Sequence, residues 1–284
     1  MHFLKVSAYD PETTITVTGA TGHLGKLILD SLKGHDVRGV ARRPEEAGSG
    51  ARYGDYDKPE SLVEAFEGSD VLVFISASDV GRRLEQHRTV VEAAAAAKVG
   101  RIVYTSITRA DTNPIPISPE HLATEEHIRS TGVPFTFLRN NWYLENYTGN
   151  LAATLEHGVV LGSAGDGRIA GATRADFAAA AAVVASTDGH DNAIYELGGD
   201  HAFTLTEFAE ALARRFQTPV SYRDLPVEEY ARTLEGFGVP DRFAEILAKS
   251  DAEIAKGALD VVTGELSRLL GRPTTTLDEF LATL

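Results

Sequence analysis

The residues of this sequence whose types and spacing point to chemistry lie close to its start. Gly19, Gly22 and Gly25 form a G-x-x-G-x-x-G turn. The β-branched run Thr14-Ile15-Thr16-Val17-Thr18 comes before it, and the apolar positions Leu24, Leu27 and Ile28 come after it at helical spacing. The run reads as a buried strand and the spacing as a helix. Between them, Gly19 allows the tight turn, Gly22 lets an anion approach the backbone, and Gly25 lets the helix pack against the strand. The N–H groups at the start of such a helix face an anion. The common spacing is G-x-G-x-x-G, so the first gap here is wider. With a strand before the glycines and a helix after them, the turn reads as a cradle for a nucleotide pyrophosphate.

A second constellation follows. Asp36-Val37-Arg38-Gly39-Val40-Ala41 reads as the next strand and ends in Arg42-Arg43-Pro44. In an NAD site an acid at this place binds the ribose 2′-hydroxyl. Arginine there matches a 2′-phosphate instead. The reading is therefore NADP(H) over NAD(H), with a solvated arginine pair as the alternative. Asp55, at the end of a short strand over Ala51–Tyr56, is placed to accept from an adenine amino group, or simply to cap a turn.

The chemistry usual beside such a site is missing. A Tyr-x-x-x-Lys pair would let a phenol shuttle a proton, but no Tyr has Lys four residues later. Where that pair would sit, the sequence has His121 and Glu125. Four residues apart, they share a helix face. His121 is a candidate proton donor near neutral pH, and the plainer reading is a surface helix pair. An acceptor that takes hydride without strong acid catalysis follows. No H-E-x-x-H, G-x-S-x-G or G-x-x-x-x-G-K-[ST] pattern occurs. Metal-dependent, hydrolase and ATPase chemistry therefore lack support, and no metal ligands are assigned.

These groups need a frame to hold them. Asp70–Ser76 is a continuous apolar run, hence a central parallel strand, with Ser76-Ala77-Ser78 at its carboxyl end. Helices are expected over Pro59–Phe66, Arg83–Lys98 and Pro119–Ser130, and strands over Arg101–Ser106 and Phe135–Arg139. The last strand runs into Asn140-Asn141-Trp142-Tyr143-Leu144-Glu145-Asn146-Tyr147, a polar-aromatic cluster suited to a ligand pocket or to interdomain packing. Alternating strands and helices give an α/β class, a Rossmann-type doubly wound parallel sheet with ligands at strand carboxyl ends. After residue 150 the pattern changes. Val159–Gly162 and Ile169–Ala170 read as short strands around the turn Ala164–Gly167, Arg174–Ser186 as a helix and Ala193–Leu197 as a strand. Helices follow over Thr206–Phe216, Val227–Phe237 and Arg242–Lys249. Residues 13–150 are thus the nucleotide-binding domain, to which the helix and strand around 174–198 return. Residues 151–284 are a smaller, mostly helical substrate-capping domain, and residues 1–12 are an N-terminal extension.

Composition narrows the classes. The chain has 284 residues, a formal net charge of −14 and no cysteine. The acidity argues against binding nucleic acid. No apolar run is long enough to span a membrane. Lack of cysteine excludes disulfides, thiolate nucleophiles and Cys-ligated metals, and fits the cytoplasm.

Several stretches together resemble the NmrA-like group of atypical short-chain dehydrogenases. They are Gly19-Ala20-Thr21-Gly22-His23-Leu24-Gly25, Ile75–Gly81, Tyr104-Thr105-Ser106, Leu138–Tyr147, Ala164-Gly165-Asp166-Gly167 and Pro273–Leu277. Within that group the chain is similar to the bacterial type 2 NAD(P)H:quinone oxidoreductases, with triphenylmethane dye reductases as near relatives. Residues 1–12 are outside the family pattern, and Asn141 stands where Gly is expected. The resemblance implies a flavin-free enzyme passing hydride from NADPH to a small-molecule quinone. It implies cofactor contacts from Gly19, Thr21, Gly22, His23, Leu24, Gly25, Arg42, Ser76, Ala77, Ser78, Asn140, Asn141, Trp142, Tyr143, Leu144, Glu145 and Arg174. Asn140 is a candidate to polarise a quinone oxygen, Tyr143 and Trp142 to stack on the ring, and His121 or water to supply a proton. A homodimer is compatible with this reading. The alternatives are an NADP(H)-binding redox sensor without turnover, and a reductase of a dye or other conjugated acceptor.

Overall fold

The computed structural model describes residues 13–79 and 81–284; the extension 1–12 and Val80 lie outside the described residues. In chain order the elements are β1 (Thr14–Thr18), α1 (His23–Ser31), β2 (Asp36–Ala41), β3 (Arg52–Tyr53), α2 (Pro59–Phe66), β4 (Val71–Phe74), α3 (Arg83–Ala96), β5 (Arg101–Ile107), α4 (Ser118–Thr131) and β6 (Phe135–Asn140). Then come α5 (Leu151–His157), β7 (Val159–Gly162), α6 (Arg174–Ala185), β8 (Ala193–Leu197), α7 (Leu205–Phe216), β9 (Ser221–Asp224), α8 (Val227–Gly236), α9 (Asp241–Ile254), α10 (Glu265–Leu270) and α11 (Leu277–Ala282).

The chain divides into two compact units. The first holds the described residues up to Ile107 together with Glu120–Asn140 and Arg174–Tyr195. Its strands build a sheet in the order β3-β2-β1-β4-β5-β6-β8, with parallel pairing from β3 through β6. The order reverses between β1 and β4. Such a switch point leaves a crevice at the strand carboxyl ends where a ligand can sit.

The sequence explains this frame. β1, β4 and β5 are buried along their whole length. Strands covered on both faces need apolar or β-branched runs; β1 and β4 have them throughout, and β5 has Ile102-Val103-Tyr104-Thr105 between Arg101 and Ser106. Phe66, Phe74 and Phe137 are fully buried in one core with Leu62, Leu72, Val90 and Ile102, each such side chain contributing about 1.5–3 kcal/mol of burial. The alanines fill close contacts. Ala93 and Ala94 of α3 join that core, and α6, with Ala178, Ala180, Ala181 and Ala182 buried, packs against α1.

The second unit holds Thr108–Pro119, Asn141–Thr173 and Glu196–Leu284. It therefore begins nearer residue 140 than 150 and includes the loop after β5. Its sheet has two strands, β7 and β9, which pair in parallel. Of the two short strands expected around the Ala164–Gly167 turn, Val159–Gly162 forms as β7 and Ile169–Ala170 does not form a strand. Ile169 makes an isolated bridge to Phe203, and β9, a short, largely exposed strand of Ser, Tyr, Arg and Asp, pairs with β7. Capping boxes start α7 at Thr204 and Glu207 and α11 at Thr276 and Glu279. Among the described residues no helix is long and apolar enough to cross a membrane.

Candidate functional site

The first unit contains a cleft of about 550 Å³ at the carboxyl ends of β1, β2, β3 and β4. Its floor is the glycine turn. Gly19 holds φ at +61°, a conformation that costs glycine little and other residues more. A Cβ on Gly25 would lie 2.2 Å from the Gly19 carbonyl oxygen, so only glycine lets α1 start this close to β1. Gly22 differs, since a Cβ there would meet only the Gly19 oxygen, at 3.2 Å. Gly22 is the N-cap of α1, with no side-chain cap and no acid in the first turn. The first N–H groups and the positive end of the helix dipole are left for an anion.

Thr21, His23 and Leu24 line the same cleft, as do Arg42, Asp55, Ser76, Ala77, Ser78 and Arg174. Arg42 and Arg43 behave differently. Arg43 is paired with Glu46 at 2.6 Å, whereas Arg42 has no ion pair among the described residues. Arg42 is thus an exposed cation at the cleft edge. Asp55 both lines the cleft and accepts from the Asp57 N–H at 3.2 Å, so the two expectations for it are compatible.

Part of the cleft wall comes from residues that carry no local sequence signal for it. Tyr56 donates to Thr18 Oγ1 and to the Ile75 carbonyl at 2.6 and 2.9 Å, which closes the cleft between β1 and β4. Asp57 Oδ1 accepts from Arg82 Nη2 at 2.7 Å and Gln86 Nε2 at 3.3 Å. Arg82 and Gln86 stand four apart on one helix face. That spacing marks the cleft only with Asp57 lying opposite it.

The other expected residues are placed differently. Asn140 ends β6 in the first unit, is buried, and its Oδ1 has no hydrogen-bond partner among the described residues; it does not line the cleft. Asn141, Trp142, Tyr143, Leu144 and Glu145 belong to the second unit. There Asn141 N–H donates to the Leu197 carbonyl and its Nδ2 to the Leu259 carbonyl. Leu144 N–H donates to Ala172, and the Trp142 carbonyl accepts from Ala172 N–H. Leu144 lines a smaller cavity of about 60 Å³ with Gly171, Gly199, His201, Phe203 and Thr274–Leu277.

His121 and Glu125 are not a surface pair. Both are buried. Glu125 accepts from Arg139 Nε at 2.9 Å and Nη2 at 2.8 Å, and from Ser106 Oγ at 2.7 Å. The two parallel guanidinium bonds satisfy a charge that burial alone would penalise. His121 Nδ1 lies 2.7 Å from the Tyr104 hydroxyl. Burial, and next the nearby Arg83 guanidinium, lower its pKa to about 3. At neutral pH it is an uncharged imidazole inside a hydrogen bond, and the proton-donor expectation does not fit this placement. The sequence misled because the helix carries polar residues on its inner face, matched by polar groups from β5 and β6.

The model of the NmrA-like family matches residues 11–281. Quinone oxidoreductase 2 of Escherichia coli (strain K12) is 44% identical over 280 residues, covering 95% of this chain and 98% of that protein. The structure of the Escherichia coli NADPH-dependent quinone oxidoreductase complexed with NADPH superposes with a TM-score of 0.91 at 44% identity, over 95% of this chain and 99% of that one. The triphenylmethane reductase of Citrobacter sp. complexed with NADP(H) gives a TM-score of 0.90 at 36% identity, over 95% and 99% of the two chains.

Proposed function

Because the chain belongs to the NmrA-like family, we propose that it is a flavin-independent oxidoreductase that transfers hydride from NADPH to a quinone. Arg42 is the observation that carries the cofactor choice. It is an unpaired guanidinium at the end of β2, where an NAD site would carry an acid. The cleft fits the rest of the dinucleotide. The uncapped start of α1 offers N–H groups to the pyrophosphate, and Gly22 leaves the approach open. Asp55 is the proposed partner of the adenine amino group. Ser76, Ala77, Ser78 and Arg174 supply further polar lining.

When bound, NADPH supplies a hydride from its nicotinamide C4. The protein's part is to bind, orient and polarise. Asn140 is the proposed donor to a quinone oxygen through its side-chain Nδ2–H, the buried Oδ1 being an acceptor only. Trp142 and Tyr143 are the proposed stacking surfaces for a flat acceptor, and cofactor contacts from Asn141, Leu144 and Glu145 belong to the same proposal. With His121 neutral and engaged, water is the proposed proton source for the hydroquinone oxygen. The enzyme is proposed to act in the cytoplasm and as a homodimer, the latter testable by light scattering.

The direct test mixes the purified protein with NADPH and a simple benzoquinone and follows the NADPH absorbance band. The expected result is loss of the band well above the uncatalysed rate, and slower loss with NADH. A rate equal to the protein-free control would overturn the enzyme reading and leave the sensor reading.

A further inference from the structure

The backbone N–H groups of Ile75–Ala77, which line the cleft, are all tied to side chains. Ile75 N–H donates to Thr18 Oγ1 at 3.0 Å, and Ser76 N–H to Thr105 Oγ1 at 2.9 Å. Ala77 N–H donates to His87 Nε2 at 2.9 Å, and the Ala77 carbonyl accepts from Arg83 Nε at 2.7 Å. Side chains of β1, β5 and α3 thereby take the backbone groups that would otherwise turn toward the ligand. Two of the three N–H acceptors are threonines, which cannot lose acceptor capacity. The third is a histidine, which can.

The tautomer follows from the partners. An Nε2 that accepts an N–H carries its lone pair there, so the neutral ring has its proton on Nδ1. Nδ1 lies 2.8 Å from Thr124 Oγ1, whose own hydroxyl donates to the Glu120 carbonyl at 2.8 Å. Every donor in this chain has an acceptor. The Glu120 side chain closes it, accepting from Arg83 Nη1 at 2.9 Å and from Gly81 N–H at 3.0 Å.

We propose that His87 is a positioning residue for the cofactor: held as the Nδ1–H tautomer by Thr124, it fixes Ala77 and with it the Ser76–Ser78 wall of the cleft. This rests on the NADPH reading given above. His87 is buried against Phe74, with ring centroids 4.8 Å apart. Tyr104 faces it from β5, His121 and Thr124 face it from α4, and Arg83 lies on its own helix. Burial first, then His121 and Arg83, push its pKa well below the usual imidazole value. The acceptor thus survives at neutral pH and is lost only in acid, when a proton on Nε2 opposes the Ala77 N–H.

The test compares His87→Leu with His87→Gln, whose Oε1 restores an acceptor near Nε2. Nicotinamide cofactor affinity is measured by fluorescence titration, with NADP⁺ for the acid points, and folding by circular dichroism. Loss of one such hydrogen bond predicts about tenfold weaker binding in the Leu variant and roughly wild-type binding in the Gln variant. Steady-state KM for NADPH should rise in the Leu variant while kcat stays nearly constant. Protonation of the cofactor's 2′-phosphate weakens binding in acid for both proteins, so wild-type affinity should fall more steeply in acid than that of His87→Gln. Nitrogen NMR of the wild-type imidazole should show a bare Nε2 and a protonated Nδ1. Equal affinity of a folded Leu variant, or an Nε2–H tautomer at neutral pH, overturns the proposal. A wild-type protein that binds neither NADPH nor NADP⁺ overturns the functional reading instead, and the tautomer measurement still decides the role of His87.

Discussion

The turn after β1 and the segment after β6 both leave the carboxyl end of a parallel strand, yet they are held in different ways. The turn is fixed largely by its own backbone, with one tie to β2 from Ala20 N–H to the Val40 carbonyl. Gly22 N–H donates to the Gly19 carbonyl, Lys26 N–H to the Gly22 carbonyl, and Gly25 leaves no room for a side chain. The segment is fixed from far along the chain, by Ala172, Leu197 and Leu259. A local device is written in consecutive residues. A device held by distant partners is not, and its residues look alike whether they bind a ligand or a neighbouring loop.

The largest expected effect breaks the local device. Gly25→Val would force a side chain onto the Gly19 carbonyl, at a Cβ distance of 2.2 Å. Overpacking of this kind against backbone costs on the order of 3 kcal/mol. The melting temperature should drop, and NADPH binding should vanish at temperatures where the variant is still folded. A variant that binds NADPH normally would show that the turn is not the cradle.

Next in size is Arg42→Asp. A 2′-phosphate loses its cation and meets a carboxylate, so kcat/KM for NADPH should fall about 100-fold while that for NADH holds or rises. Unchanged NADPH selectivity would remove Arg42 from the 2′-phosphate site. Arg43→Asp is the matched control, because Arg43 is already paired with Glu46.

These cases show what the sequence could tell. β2 and α2 have the bounds their residue pattern predicts, because turn residues and periodicity are local signals. Gly19 and Arg42 are legible as cleft-lining residues for the same reason, each being tied to the strand just before it. Tyr56, Asp57, Arg82 and Gln86 are not, since their shared place in the cleft depends on β1 lying beside β4 and on the start of α3 meeting Asp57 in the loop after β3. His121 and Glu125 were misread because an inward polar face, satisfied by Tyr104 and Arg139, has the same residue pattern as a solvated one. β9 is a polar strand of four residues and carries no period that marks it.

The second unit offers a sharper form of the comparison. Its β7 end is also held by a distant side chain, Asp251 of α9, whose Oδ2 accepts from Ser163 N–H at 2.9 Å. Burial raises the pKa of Asp251 to about 7, opposed by the Ser163 bond and aided by Asp224. The folded pKa lies above the unfolded value, so the native state binds a proton that the unfolded chain has released. The stabilising contribution of this group is complete below about pH 4 and is lost as pH rises through about 7. Asp251→Asn keeps an acceptor for Ser163 without the charge. It should raise stability above pH 7 by on the order of 2 kcal/mol and change little in acid. Denaturant melts across the pH range check this; parallel curves for the two proteins would mean that Asp251 is ionised in the fold without cost.

The smallest effect tests whether the segment after β6 meets a ligand at all. Tyr143 has an isolated bridge to Ala172 through its backbone, so removing side-chain atoms leaves the main-chain tie intact. If its ring stacks on the acceptor, Tyr143→Phe keeps the flat surface and should change kcat/KM for a benzoquinone by less than about threefold. Tyr143→Ala should raise KM for the quinone by about three- to tenfold, with KM for NADPH unchanged, since a stacked aromatic contributes about 0.5–1.5 kcal/mol beyond its area. The split matters more than the size. A rise in both constants would point to the cofactor contact instead, and a fall in melting temperature without change in either would make Tyr143 a packing residue of the second unit. The segment after β6 would then be structural, and acceptor binding would have to be sought among other residues.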